Sequence, residues 1–447
     1  MDETALRALF EHAVAAGRPS PQLVGNSVRV GKRIRARRRI GAAAASMSAI
    51  ALIAIMLPPV SGSLGSGSHH HQPPVSGHGP VPPTAYVWTA AGERGTTLQG
   101  SDEVTPVRLA TDTPLRPITV RGLISEVAAA PGGRAVYVFS FTATSTSTVD
   151  YVTRIDTATN SAANPVRLPL HLVQNTEIRI ARGGRVAYTV NSSSQMVAIS
   201  LATGAVRQLA TFNGQFDITP NGRTAYLPVN NGVQPVDLVT GNAEPPVKVR
   251  AEPSAMAITP DGKTVWVVSQ GNVNTAFVTP IGTATNGAGK PITVPAQSLI
   301  APVGGIVITP DGKTAYVNGG QYVSPVDLAA RTAGRPIKLP SVFRTEPGIL
   351  LMSPNGKVVY DNLRPIDLIT NKALPPVVLP RGYADSTVPA IPGFSPGGRI
   401  IYLPAVTSRR GRPQEGVLIP ISTATQRQAG KIINVGPGSP QQLVIVP

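Results

Sequence analysis

Cysteine is absent from this chain of 447 residues. Its absence excludes disulfides, thiol nucleophiles, thiolate zinc sites and a lipidated-cysteine anchor. Histidine is also scarce, and only His171 lies within residues 84–447. The chain has no G-x-S-x-G, H-E-x-x-H or phosphate-loop motif, and no serine, histidine and aspartate set can be assembled from it. We therefore predict no catalytic residue, no metal ligand and no cofactor, and we favour a non-enzymatic role while leaving catalysis open.

Charged residues are missing from residues 40–57, which read IGAAAASMSAIALIAIML. As a helix this segment would span about 27 Å, near the lower limit for crossing a bilayer. The basic stretch RVGKRIRARRR precedes it, and positive charge at one end of a span keeps that end in the cytoplasm. The pattern predicts a single-pass helix in a bacterial plasma membrane, with the N-terminus cytoplasmic and the remainder outside. We expect the basic stretch to contact anionic lipid, and we expect no nucleic-acid partner.

A cleaved signal peptide is the alternative interpretation of this N-terminal part. However, 39 residues precede the apolar core, and no clear A-x-A site follows it. Residues 1–39 are predicted to be a cytoplasmic tail whose short helix either binds a partner or is only partly formed. Residues 58–83 are rich in Pro, Gly and Ser without periodicity, which predicts a flexible linker. The four histidines of the linker lack the rigid surroundings that a metal site needs.

A short turn motif recurs seven times at intervals of 38 to 51 residues. ITPDGKTVWVVSQ, from Ile258, and ITPDGKTAYVNGG, from Ile308, contain two of its copies. The third motif position is always Gly and the second is Gly, Asn or Asp, as a two-residue type I′ hairpin requires at its positive-φ positions. Each copy therefore predicts a tight turn between two antiparallel strands, labelled A and B. The copies begin at Pro131, Arg182, Pro220, Pro260, Pro310, Pro354 and Pro396.

An aromatic residue stands six positions after the start of each motif, within a short apolar run. Such runs are typical of strands buried on both faces, so these rings are predicted to pack in the core. A strand C follows, as in QPVDLVTG from Gln234, and then a strand D, as in RPIKLP from Arg335. Four short antiparallel strands per unit indicate a β-propeller blade. The aromatic residues are Tyr137, Tyr188, Tyr226, Trp266, Tyr316, Tyr360 and Tyr402.

The first and last copies of the unit are incomplete and complement each other. PTAYVWTA, from Pro83, supplies a strand B around Tyr86 without a strand A, whereas the C-terminal QQLVIVP supplies a strand A without a strand B. Because an open sheet edge promotes aggregation, we predict that residues 441–446 pair with the strand around Tyr86. Residues 84–447 are thus predicted to form one all-β propeller of four-stranded antiparallel blades. Eight blades are expected; seven would require one copy to be displaced, such as the degenerate one at Arg182.

These turn and strand sequences resemble the YVTN-type β-propeller repeat family. The resemblance is carried by TPDGK at 259–263 and at 309–313, each followed by an aromatic residue and valine. Two predicted loops, at 141–150 and 403–416, are longer than the repeat requires. The resemblance implies an extracytoplasmic or cell-surface binding protein, and related propellers include lactonases and lyases. The arrangement of the N-terminal part is similar to that of membrane-anchored proteins of actinobacteria.

Acidic residues precede several predicted A strands, at the end of the blades where we expect the mouth of the channel. Clustered carboxylates there would bind a cation or a divalent metal, and isolated ones would only solvate their loops. Basic residues in the loop at 403–416 suit an anionic partner or simply increase solubility. The candidate ligand face comprises Glu126, Glu177, Glu252, Glu346, Arg409 and Arg410.

Acidic residues are the minority throughout, with 23 against 40 Lys and Arg and a formal net charge of +17. A basic domain outside the membrane suits anionic cell-wall polymers or lipid headgroups. The leading hypothesis is a membrane-tethered, extracytoplasmic binding or scaffolding module for protein or anionic cell-envelope ligands. The alternatives are a lactonase- or lyase-type enzyme at the channel mouth and a transmembrane sensor that signals to the cytoplasmic helix. The sequence predicts no oligomeric state.

Overall fold

The structure is a computed structural model that describes most of the propeller region. The predicted tail, the apolar segment 40–57 and nearly all of the linker lie outside the described residues. The described part contains no α-helix, and thus no helix that could cross a membrane. The described residues are 82–90, 101–144, 147–172, 178–211, 215–230, 232–272, 274–296, 305–339, 350–361, 363–385, 391–407 and 414–447.

Eight antiparallel sheets, numbered as blades 1 to 8, follow one another along the chain. Blade 1 contains β1 (Thr84–Ala90), β2 (Glu103–Arg108), β3 (Thr113–Pro114) and β4 (Ile118–Thr119). Blade 2 contains β5 (Leu123–Ala129), β6 (Ala135–Ala143), β7 (Thr148–Asp156), β8 (Ser161–Ala162) and β9 (Val166–Leu168). Blade 3 contains β10 (Arg179–Ile180), β11 (Val186–Val190), β12 (Gln195–Ser200) and β13 (Val206–Thr211). Blade 4 contains β14 (Asp217–Ile218), β15 (Thr224–Val229), β16 (Gly232–Asp237) and β17 (Val247–Lys248).

The second half of the ring repeats this arrangement. Blade 5 contains β18 (Pro253–Ile258), β19 (Thr264–Gln270), β20 (Thr275–Gly282), β21 (Gly287–Ala288) and β22 (Ile292–Pro295). Blade 6 contains β23 (Ile306–Ile308), β24 (Thr314–Asn318), β25 (Tyr322–Asp327), β26 (Thr332–Ala333) and β27 (Ile337–Lys338). Blade 7 contains β28 (Leu350–Met352), β29 (Val358–Asp361), β30 (Arg364–Asp367) and β31 (Lys372–Ala373). Blade 8 contains β32 (Tyr383–Asp385), β33 (Gly393–Phe394), β34 (Ile400–Thr407), β35 (Glu415–Ser422) and β36 (Ile433–Pro437).

The last strand of the chain, β37 (Ser439–Val446), is the inner strand of blade 1. It pairs antiparallel with β1, and Val444 lies opposite Tyr86 in the register. The predicted closure is therefore confirmed, with the pairing extending back to Ser439. Eight blades are confirmed as well, because the degenerate copy at Arg182 forms the A–B turn of blade 3.

Apolar side chains pack between successive blades around the whole ring. Eight clusters of buried residues are found, one between each pair of neighbouring blades, including blades 8 and 1. The strand B aromatics belong to these clusters, as predicted, and Tyr226 and Tyr360 are fully buried. Burial of that apolar surface is the main contribution to the stability of the ring.

Tyrosine hydroxyls also join several blades to the next one around the ring. The Tyr360 Oη donates to Gln426 Oε1 at 2.8 Å, in the C–D turn of the following blade. Burial raises the pKa of Tyr360 to about 12, so this hydroxyl remains a donor at neutral pH. Tyr402 of blade 8 donates to Asp112 of blade 1 at 3.3 Å, which continues the pattern across the closure. Three further pairs are Tyr86 with Asn160, Tyr226 with Asn286, and Tyr316 with Asn371.

The predicted type I′ geometry of the A–B turns is wrong. In the copy at 259–262, Gly262 N donates to Thr259 O at 2.8 Å, and only Gly262 has a positive φ, at 72°. Asp261 keeps an ordinary φ, and its Oδ1 accepts the N–H of Lys263 at 3.0 Å. Proline, the first residue of the motif, is the second residue of this four-residue turn. Its ring presets φ near −65°, which suits a type I turn and not a type I′ turn.

The two ends of the blades differ in character. One end, the turn face, bears the A–B and C–D turns, and the other, the loop face, bears the B–C and D–A connections. The A–B turns pack against one another in sequence, since a Cβ on Gly356 would lie 3.0 Å from Cδ of Pro310 in the preceding turn. Pro447 takes the place of that proline in blade 1, where a Cβ on Gly133 would lie 2.7 Å from its Cδ. Both ends of the propeller chain therefore lie at the turn face.

Candidate functional site

Glu126 is half-buried in β5, and it is part of a contact between blades. Its Oε1 accepts a hydrogen bond from Nε2 of Gln442 in β37, and Gln442 Oε1 accepts the N–H of Val127 at 2.7 Å. This reciprocal pair fixes the inner strand of blade 1 against that of blade 2. The carboxylate of Glu126 is thus engaged with Gln442 in this structure, and its place in the candidate ligand face stays a prediction.

Glu252 is exposed just before β18, as predicted for a residue at the loop face. It belongs to blade 5 and Glu126 to blade 2, and these blades are not neighbours in the ring. Among the described residues, no group of three or more His, Asp or Glu could hold a metal ion. The other predicted members, Glu177, Glu346, Arg409 and Arg410, lie outside the described residues.

An aspartate–histidine pair, which the sequence patterns did not reveal, lies at the loop face of blade 2. His171 Nδ1 is 3.0 Å from Oδ2 of Asp150, and the N–H of Leu172 lies 3.5 Å from Oδ1. The Asp150 side chain is 5% exposed, whereas that of His171 is 57% exposed. A buried carboxylate thus orients an imidazole that presents its other nitrogen to solvent, an arrangement suited to proton transfer or to ligand binding.

Two long strands place Asp150 at this position. The predicted long loop at 141–150 is wrong, because β6 and β7 extend to Ala143 and Thr148 and continue the pairing there. The threonine-rich sequence of this segment favours extended backbone. Asp150 then lies opposite Phe141 on one side and Leu168 on the other.

Burial raises the pKa of Asp150 above its ordinary value of 3.8, and the contacts with His171 and Leu172 offset only part of this effect. A carboxyl whose pKa is higher in the folded state binds more protons when folded, so its ionisation destabilises the fold as the pH rises. The free energy of unfolding of the wild-type protein, minus that of Asp150→Asn, should therefore be larger at pH 4 than at pH 7. Chemical denaturation of both proteins at the two pH values measures this difference. A difference that is independent of pH, or that grows towards pH 7, would contradict the assignment.

Two arginines at the loop face stack on aromatic rings. The guanidinium of Arg121 lies 4.8 Å from the centroid of Tyr151, and that of Arg250 lies 4.3 Å from the centroid of Phe277. Each arginine lies in a D–A connection, two or three residues before an inner strand. Stacking orders the side chain while leaving its N–H donors available, which favours recognition of carboxylate or phosphate. Sequence spacing gave no sign of these stacks, since each arginine lies in a D–A connection and its aromatic partner lies in a strand C.

The blade 2 cluster comprises Arg121, Asp150, Tyr151 and His171. They share one end of one blade, and Tyr151 directly follows Asp150 in β7. Within the described residues, Asp150 is the one side chain hydrogen bonded to the His171 ring. The cluster therefore offers a cation and an imidazole for binding, without a hydrogen-bonded nucleophile.

A second buried charged group lies at the loop-face end of blades 6 and 7. Asp361 and Asn318 are fully buried, and Asn318 Nδ2 donates to Asp361 Oδ1 at 3.0 Å. Arg364 Nη2 donates to the other carboxylate oxygen, and its side chain is 13% exposed. Burial raises the pKa of Asp361, and the positive charge of Arg364 opposes that shift. Because all three groups are engaged with one another, the network joins two blades and is not an open binding site.

Comparisons with known proteins place this chain by fold. No protein-family profile and no curated protein matches it. Apo AztD from Citrobacter koseri is 13% identical with a TM-score of 0.53, over 81% of this chain and 97% of that chain. The dihydro-heme d1 dehydrogenase NirN, in complex with DHE, is 14% identical with a TM-score of 0.50, over 83% of this chain and 76% of that chain. A 6-phosphogluconolactonase-like protein from Bacteroides fragilis is 16% identical with a TM-score of 0.47, over 84% of this chain and 100% of that chain.

At these identities the similarities show the fold alone. AztD and NirN, with TM-scores of 0.53 and 0.50, agree with the overall fold described above. NirN is named as a dehydrogenase, so the fold does not decide between binding and catalysis.

Proposed function

We propose that this protein is a membrane-tethered, extracytoplasmic β-propeller that binds an anionic ligand with its loop face. The observation that carries the proposal is the position of the chain ends. Thr84 lies opposite Val446 at the turn face, so the first described residues of the propeller lie on that side. The loop face, with its arginine stacks and the blade 2 cluster, is at the other end of every blade.

The tether belongs to the same proposal. Residues 1–39 would form the cytoplasmic tail, 40–57 the membrane span, 58–83 the linker and 84–447 the propeller. The basic stretch before residue 40 supports a cytoplasmic N-terminus at a bacterial plasma membrane. Assignment of the blades to the YVTN-type repeat family is supported by the Thr-Pro-Asp-Gly-Lys turns, whose Thr, Asp and Gly each have a role in the turn geometry.

The described cations at the loop face favour an anionic ligand. Arg121 and Arg250 hold guanidinium groups over aromatic rings, and His171 adds an imidazole at the loop face of blade 2. Carboxylates on a protein partner, or phosphates and carboxylates of a cell-envelope polymer, have the matching charge and geometry.

Sedimentation with purified cell-wall sacculi tests this function. We expect the wild-type propeller to sediment with sacculi and to be released by salt, since exposed ionic contacts are screened. The variant Arg121→Gln/Arg250→Gln should bind at least about tenfold more weakly, because two charge-assisted contacts are lost. The matched control is Arg116→Gln/Arg335→Gln, which removes two exposed arginines that precede outer strands. Equal binding of sacculi by both double variants would contradict ligand binding at the loop face.

The Asp150–His171 pair supports a second candidate, an enzyme of the lactonase or lyase type. In such an enzyme the imidazole would act as the general base, with Asp150 fixing its tautomer. Hydrolysis of a lactone by the purified protein and binding to sacculi are measured for His171→Ala. If the substitution abolishes hydrolysis and leaves sacculus binding unchanged, the result supports the enzyme over the binding module.

A further inference from the structure

Every A–B turn of blades 2 to 8 carries a basic residue immediately after its glycine. All seven are exposed, and Arg182 adds an eighth cation in the turn of blade 3. Within these turns the opposing acids are Asp261 and Asp311. The seven residues, called the basic ring, are Arg134, Arg185, Arg223, Lys263, Lys313, Lys357 and Arg399.

The basic ring is not needed to build the turns that carry it. The turn at 259–264 is held by backbone and by the side chains of Thr259 and Asp261, and its lysine contributes only its backbone N–H. Lys263 Nζ lies 3.7 Å from Asp261, in a pair whose side chains are 83% and 55% exposed. Because the A–B turns lie side by side around the axis, seven of the eight blades place an exposed cation on the inner part of the turn face.

The outer part of the turn face has mixed charge. Its C–D turns carry acids such as Asp327, whose Oδ1 accepts the N–H groups of Ala329 and Ala330 at 2.9 and 2.7 Å. Asp156, Asp237 and Asp367 accept N–H groups of their own turns in the same way. These carboxylates therefore have a structural role. Arg154 pairs with Asp156 at 3.1 Å, and the C–D turns also carry the basic residues Arg331, Lys372 and Arg427.

Two large apolar side chains project from the same face. Val239 is 71% exposed and Ile369 is 76% exposed, and both lie in C–D turns, of blades 4 and 7. Isolated apolar tips beside a positive surface are typical of proteins that rest at the headgroup level of a membrane.

We propose that the turn face docks on an anionic phospholipid surface, with the basic ring over the headgroups and with Val239 and Ile369 inserted at their level. The tether of the proposed function would hold this face close to a bilayer, because a flexible chain of the length of residues 58–81 spans roughly 27 Å on average. The docking itself does not depend on the tether. In this orientation the loop face points away from the membrane and remains open to its ligand.

Co-sedimentation with vesicles tests the docking on residues 77–447. This part is one compact unit, whose ring is closed by its own strands. We expect it to bind vesicles of phosphatidylcholine with 30% phosphatidylglycerol, to release them at high salt and to ignore pure phosphatidylcholine. The variant Lys263→Gln/Lys313→Gln/Lys357→Gln should bind at least about tenfold more weakly.

The matched control removes three exposed cations from outer strands at the loop-face end, as Arg167→Gln/Lys248→Gln/Lys338→Gln. It should bind vesicles within about twofold of wild type, since the same net charge is lost far from the docking surface. Equal loss in both triple variants would show a general charge effect and overturn the proposal.

A separate variant tests the contribution of the exposed apolar side chains Val239 and Ile369 to vesicle binding. Val239→Ser/Ile369→Ser should weaken binding several-fold, whereas Val378→Ser, at an 82% exposed valine of blade 7, should not. Lipid docking would also be contradicted if the protein bound phosphatidylcholine as strongly as phosphatidylglycerol. It would be contradicted as well if the basic ring variant lost binding to sacculi together with binding to vesicles. Sacculus binding that depends on Arg121 and Arg250 alone would leave the two proposals independent of each other.

Discussion

Deletion of residues 439–447 is expected to abolish the cooperative folding of the propeller. This change removes β37, the inner strand of blade 1, and exposes the whole edge of β1. Val446 and Leu443 also belong to the two apolar clusters on either side of blade 1, so both clusters would open to water. An unpaired edge whose residues are almost all buried in the native protein is a template for aggregation.

Size-exclusion chromatography and thermal unfolding followed by circular dichroism measure this effect. The truncated chain should elute as aggregate and show no cooperative transition. The matched control is deletion of residues 1–76, which lie outside the compact unit at 77–447 and should leave the unfolding midpoint unchanged. A truncated chain that remains monomeric and melts at the wild-type midpoint would show that the ring does not depend on its closing strand.

Asp361→Ala is expected to cost about 3–5 kcal/mol of unfolding free energy, the largest effect that we expect from one substitution. The change leaves the guanidinium of Arg364, whose side chain is 13% exposed, without its carboxylate. It also removes Asp361 Oδ1, which accepts a hydrogen bond from Nδ2 of the fully buried Asn318. Removing one member of a buried ion pair costs more than the pair contributes, because the remaining charge loses the carboxylate that offset its desolvation.

Urea denaturation of wild type and variant measures this cost. The exposed pair of Arg154 and Asp156, 3.1 Å apart, supplies the control, and Arg154→Ala should cost less than about 1 kcal/mol. The double variant Asp361→Leu/Arg364→Met should recover part of the loss, since it removes both charges together. A cost for Asp361→Ala no larger than that for Arg154→Ala would mean that the network is solvated in solution.

The architecture was predictable from the sequence because its signals are local and repeated. Glycine at the third motif position and the aromatic residue six positions after the motif start fixed the hairpins, and the two incomplete ends fixed the closure at Tyr86 and Val444. The predicted turn type is wrong because the proline at the start of the motif is itself a central residue of the turn. The prediction of a loop at 141–150 is wrong because its β-branched residues favour the extended strands that are observed.

The site was much less predictable, because its contacts join residues that no local pattern connects. Asp150 and His171 are 21 positions apart, and Glu126 meets Gln442 across 316 positions through the closure of the ring. The one histidine of residues 84–447 was visible as an isolated residue, but its buried partner was not. Counting acids before strands identified Glu126 by position and could not show that its carboxylate is already engaged.

Cysteine labelling in intact cells tests the orientation of the chain most directly, since the native sequence has no cysteine. Ser193→Cys places a thiol in the exposed B–C turn of blade 3 at the loop face, and Ser27→Cys places one in the proposed cytoplasmic tail. A membrane-impermeant maleimide should label Ser193→Cys in intact cells, and should label Ser27→Cys only after permeabilisation. Labelling of Ser193→Cys that requires permeabilisation, or release of the propeller into the medium, would contradict a tethered protein whose propeller lies outside the membrane.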